Sequence, residues 1–155
     1  MTTSSCSTRH AARAWRRADL VEVFVKTLGF EKDEDCAVAS VEEKNALWLA
    51  LDGTLTLHAG RLLLAPAVEW ITPRRRRIVV DLTQTRQIIE AGVWSLLRIS
   101  SKCRAVEGFL IIIAQGDIKK MILDSSQGMP FRVMDDEAHA RKLLRSYEIA
   151  EGSAV

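Results

Sequence analysis

The chain has 155 residues, 48% apolar and 27% charged, with a net charge of +2. That balance fits one soluble globular domain able to bury roughly 70% of its unfolded surface. The longest unbroken apolar run, residues 109–114, is far too short to cross a bilayer, and the near-neutral charge with 6% aromatics argues against a nucleic-acid-binding face.

In chain order, Trp15, Leu20, Val21, Phe24, Val25 and Leu28 fall near one helical stripe ahead of Gly29, so the spacing favours a helix over 11–28. The alternation of Val21, Val23 and Val25 supports a strand as the rival reading. The acidic residues 31–35 read as a solvated connector. Residues 36–45 and 46–57 form two strands of a hairpin with a polar turn at 43–45. Residues 59–72 are helix-like, with Pro66 either kinking the helix or marking its true first turn. A β-branched strand at 76–83 leads through a polar turn to a helix at 92–105, which points Val93, Leu96, Leu97 and Cys103 at the core. The strand at 108–115 is apolar on both faces and belongs inside the sheet. Helices at 117–126 and 136–147 flank a strand at 131–135, and the Asp135/Asp136 pair is suited to cap the last helix. Strands alternating with helices after a hairpin imply a mixed sheet in an α/β domain. The expected divisions are an N-terminal helical extension and connector at 1–35, a domain at 36–147 and a tail at 148–155.

Chemistry-bearing motifs are missing. The chain lacks the glycine-rich phosphate cradles, the G-x-S-x-G elbow and H-E-x-x-H. Cys6, Cys36 and Cys103 are odd in number and far apart, which reads as reduced thiols rather than a disulfide framework. His10, His58 and His139 are as scattered, so neither a metal nor any other cofactor is expected, and no residue is assigned a catalytic role. The first 17 residues carry arginines without the apolar core of a secretory signal, and a cytoplasmic location is expected, with a transit peptide left open.

The ordered set "LALDGTLTL", "RRRRIVVDLT", Gly92 with Leu96 and Leu97, "GFLIIIA" and "GMPFRVMDDEAHARKLL" resembles the STAS domain over about residues 38–145. That domain is found in anti-sigma factor antagonists and in sulfate transporter tails. The resemblance implies a mixed β-sheet packed mainly on one side by helices, about four in all, with the N-terminal helix as an addition. In the family the loop after the "DL[ST]" strand ends in Asp-Ser-Ser-Gly, and its first serine is phosphorylated by an anti-sigma kinase. Here Ile89, Glu90, Ala91 and Gly92 stand in that place, so Glu90 occupies the switch position and cannot be phosphorylated.

Glutamate carries one fixed charge, whereas phosphoserine carries about −1.5 to −2, so Glu90 is a partial phosphomimic. It also reads as an ordinary first-turn acid, favoured by the helix dipole by about 0.3–1 kcal/mol. Asp124, Ser125 and Ser126 repeat the family's letters in a helix-to-strand connection, where they satisfy a turn. Trp94 falls one turn from Glu90 and Arg98, away from Leu96. The expected contact surface comprises Gln84, Thr85, Arg86, Gln87, Glu90, Ala91, Trp94 and Arg98. The resemblance implies a non-catalytic regulatory protein that binds an anti-sigma factor or another regulatory protein by partner switching, without nucleic acid or membrane insertion. The alternative is a STAS subunit of an ABC-type lipid transport complex, and a homodimer is left open.

Overall fold

The computed structural model describes residues 36–125 and 131–153. The helix expected at 11–28 and the acidic connector lie outside the described residues. Lys44 and Asn45 both take positive φ (49° and 65°), the pair of left-handed residues that a two-residue hairpin turn demands. They fold β1 (Cys36–Glu43) back onto β2 (Ala46–Leu55), with Cys36 opposite Gly53 and Glu43 opposite Ala46.

The other edge of β2 carries two parallel neighbours in succession. β3 (Arg77–Asp81) pairs with Leu47–Ala50, and β4 (Thr85–Ile88) pairs with Gly53–Leu55 after a register shift between Gly53 and Thr54. The sheet continues from β3 to β5 (Phe109–Ile113) and β6 (Arg132–Met134), all parallel, giving the order β1-β2-β3-β5-β6. β5 is buried on both faces, as its unbroken apolar sequence requires: Leu110 and Ile112 join one core cluster, and Ile111 and Ile113 the other.

Three helices, α1 (Leu57–Trp70), α2 (Glu90–Ala105) and α3 (Gly116–Ser125), supply the first cluster through Leu63, Leu96, Ile99 and Ile122, among others. α4 (Glu137–Ser153) lies on the opposite face and supplies Ala140 and Leu144 to the second. The architecture is a mixed six-stranded sheet with four described helices, three of them on one side, as the sequence implies.

Several boundaries differ from the sequence expectation. β2 stops at Leu55 because the Thr56 hydroxyl caps α1, accepting from Ala59 N–H at 3.1 Å. Pro66 lies inside α1 and does not mark its first turn. α4 continues to Ser153, so the expected tail boundary at 147/148 falls within a helix. The polar stretch ahead of α2 contains a strand, β4, that no sequence pattern announced. Leu97, expected in the core with Leu96, is partly buried and packs against it.

Close packing fixes α1 and α2 against each other and against β2. A Cβ on Gly60 would run into the Ser95 hydroxyl, and one on Gly92 into the carbonyl oxygen of Leu55. Ser95 itself is buried. Gly92→Ala is therefore expected to cost about 2 kcal/mol or more through overpacking against backbone that cannot yield, measured by urea denaturation.

Asp136 fulfils the expected capping role for α4, its Oδ1 accepting from His139 N–H at 2.8 Å and lying 2.6 Å from His139 Nδ1. The backbone hydrogen bond from His139, followed by its side-chain bond, holds the Asp136 carboxyl below its ordinary pKa. Because folding lowers this pKa, the stabilisation is present above the unfolded value and is lost as pH falls through the folded one. The melting temperatures of wild type and Asp136→Ala should thus differ at neutral pH and converge in acid.

Candidate interaction surface

Two helices begin side by side at one end of the sheet. Leu55 is in register with Ile88, and Ile89 N–H donates to the Leu55 carbonyl at 3.1 Å, so α1 and α2 start from adjacent strand ends. Their first turns are made differently. α1 has the Thr56 cap, whereas the residue before α2 is Ile89, in extended conformation with no side-chain hydrogen bond. Glu90 is the acid of that first turn, placed at the positive end of the helix dipole.

Around this junction large apolar side chains face solvent: Trp94 at 57% exposure, Leu57 at 41% and Ile89 at 40%. Trp94 follows Glu90 by four residues and precedes Arg98 by four, which stacks the three on the outer stripe of α2. Gln84, Arg86, Gln87, Glu90, Trp94 and Arg98 are all exposed, and Ala91 is half-buried. Thr85 is different: it is buried, and its hydroxyl donates to the Leu51 carbonyl at 3.0 Å, fastening β4 to β2. Arg86 reaches back to the buried Asp52, Nη1 to Oδ1 at 3.6 Å. The turn before β4 is held by Asp81, whose Oδ1 accepts from Thr83 N–H at 2.9 Å and from its hydroxyl at 2.7 Å.

The structure thus brings together most of the side chains picked from sequence and adds two, Leu57 and Ile89. Leu57 was readable as the residue after a threonine cap. β4 was not, because its burial runs buried, exposed, exposed, buried, and the register shift in β2 destroys the period of two.

Cys36 and Cys103 are buried, and burial pushes the Cys103 thiol up to about 12, which leaves essentially no thiolate there at neutral pH. Among the described residues, no group of three His, Cys, Asp or Glu side chains is placed to hold a metal ion, and no helix is long and apolar enough to cross a membrane.

Neither a family model nor a curated protein sequence matches the chain. Solved structures do match. An anti-sigma factor antagonist from Mycobacterium paratuberculosis has a TM-score of 0.62, covering 73% of this chain and 97% of its own, at 12% identity. The anti-sigma factor antagonist SpoIIAA in its unphosphorylated form gives 0.58, covering 70% and 98%, at 17% identity. The phosphorylated form of SpoIIAA, a Bacillus cell fate determinant, gives 0.58, covering 70% and 99%, at 18% identity. The fold is STAS-like.

Within this STAS-like fold, residues 89–91 form the junction between β4 and α2, on the exposed end of the molecule. Asp124 and Ser125 close α3, between β5 and β6, in a different connection. The exposed and the buried residues of the expected contact surface should separate in a stability measurement. Trp94→Ala should leave the melting temperature within a degree or two of wild type, since it opens no cavity, whereas Thr85→Val should lose about 1 kcal/mol with its buried hydrogen bond.

Proposed function

We propose that this chain is a non-catalytic regulatory protein that binds an anti-sigma factor, or a regulator of similar kind, through the surface formed by residues 84–98. The observation that carries the reading is the exposed Trp94 one turn from Glu90 at the start of α2, on a fold shared with anti-sigma factor antagonists. A solvated tryptophan bordered by polar and charged side chains is the composition of a binding hot spot with its rim. Ile89 and Leu57 extend the apolar part, and Gln84, Gln87 and Arg98 supply polar groups around it.

Position 90 offers no hydroxyl, so control by phosphate transfer to this residue is chemically closed. Glu90 instead presents a permanent single charge with two acceptor oxygens beside the helix N-terminus, which holds the surface part of the way toward the character of a phosphorylated serine. Partner exchange then responds to concentration and to modification of the partner.

The test is calorimetric titration against the kinase-like anti-sigma factors encoded by the same genome. Trp94→Ala is expected to weaken binding by about 2 kcal/mol or more, roughly thirty-fold, with the fold intact. Glu90→Ser removes the charge and is expected to tighten it. Peptide mapping after incubation with ATP and a cognate kinase should find no phosphate at position 90, and stoichiometric phosphate at Ser125 or Ser126 would move the switch to the α3 connection. Unchanged affinity in both variants removes the interface assignment. Recovery of a permease and its ATPase in place of an anti-sigma factor would instead make the chain a transport-complex subunit.

A further inference from the structure

The end of the sheet farthest from residues 84–98 gathers guanidinium groups around a cavity. β2 begins there at Ala46 and runs 10 residues to Leu55, which places this end about 30 Å from the junction where α2 starts. The loop from α1 into β3 is held as a tight turn. Thr72 and Arg75 exchange backbone hydrogen bonds of 2.9 and 3.0 Å, Pro73 brings a fixed φ to the second turn position, and the Thr72 hydroxyl accepts from the N–H groups of Arg74 and Arg75 at 3.2 and 3.1 Å. The next residue, Arg76, is anchored through its carbonyl, which accepts from Phe109 N–H at 3.0 Å. Leu47 is in register with Ile78, so Asn45 in the hairpin turn stands level with Arg76. Between the two turns lies a cavity of about 290 Å³ walled by Asn45, Pro73, Arg74, Arg76 and Arg77.

We propose that this cavity binds the phosphate group of a small soluble phosphomonoester. Its described walls carry three guanidinium groups, one amide and no carboxylate. Guanidinium groups gathered around one space repel each other, and an anion placed between them relieves that repulsion. The planar fork of arginine offers paired N–H donors to a phosphate, and the Asn45 amide adds a neutral donor. A phosphomonoester suits the site better than a carboxylate because it brings about −1.5 to −2 of charge and three acceptor oxygens. Arg77 is buried, which holds its side chain in place, whereas Arg74 is exposed and within reach of a ligand arriving from solvent. The volume sits at the small end of the range for ligand sites, enough for a phosphate carrying a short organic group.

A ligand held here leaves the surface of residues 84–98 open, so this inference is independent of any reading of that surface. The turn also contains its own control: Arg75 is exposed beside Arg74 but is not among the walls of the cavity.

The test titrates the full chain with glycerol 3-phosphate and with inorganic phosphate at constant ionic strength, followed by amide chemical shifts. Saturable shifts are expected at residues 44–46 and 72–78, with residues 84–98 unmoved. Arg74→Ala should weaken binding about ten-fold or more, the loss of one charge-assisted contact, whereas Arg75→Ala should weaken it less than two-fold. Both side chains are exposed, so neither variant removes packing, and their melting temperatures should match that of wild type. Equal losses in the two variants overturn the proposal, because the anion would then sense only the general field of a basic turn. Shifts that never saturate, or none at all, overturn it as well. So does a single-stranded oligonucleotide that binds at the same residues more tightly than glycerol 3-phosphate and tightens further as it is lengthened, because the site would then be an open track for a phosphodiester chain.

Discussion

β2 is hydrogen-bonded along both edges for nearly its whole length, and the rest of the molecule is arranged around that requirement. Two different strands must share one of its edges, β3 and then β4, and the hand-over occurs at Gly53, where φ is 125°, a conformation that side chains rarely tolerate. The register shift there brings Ile88 beside Leu55. From that single alignment it follows that α1 and α2 start as neighbours, that Gly92 must be glycine beneath the Leu55 carbonyl, and that Gly60 must be glycine against Ser95. The exposed end of the molecule is thus set by the strand beneath it.

That dependence explains which parts of the molecule were legible in the sequence. Long elements with one dominant signal could be read directly: the hairpin from its turn residues, α2 from its periodic apolar positions, β5 from an apolar run too short for a helix. The layer arrangement was reached through the ordered resemblance to STAS sequences and agrees with the structure. β4 was hidden because four residues whose exposure follows a bulge in another strand carry no period of their own. Pro66 left two readings open in the sequence, and packing on the sheet stabilises α1 enough to carry the proline in its interior.

The candidate surface divides along the same line. Glu90, Trp94 and Arg98 share an outer stripe because helix spacing alone dictates it, so their common exposure was readable. Thr85 looked equally polar, yet its hydroxyl is spent on the Leu51 carbonyl inside the sheet. Only a tertiary structure distinguishes a threonine that offers its hydroxyl to a partner from one that uses it to close a strand edge.

Arg141 joins two parts of the chain that are 98 residues apart, closing the hydrogen bond to Glu43 and covering the Trp48 indole. The hairpin can form early because its pairing is local, but the indole keeps one face bare until α4 has been made. On a ribosome, α4 is the last described element to emerge, so this part of the core is completed only after the described sheet has been made. A chain arrested before residue 141 would hold the sheet with an aromatic surface uncovered, which is the kind of surface that chaperones and proteases recognise. The clasp between α4 and the β1–β2 hairpin thus makes the burial of one aromatic ring depend on two segments far apart in the chain.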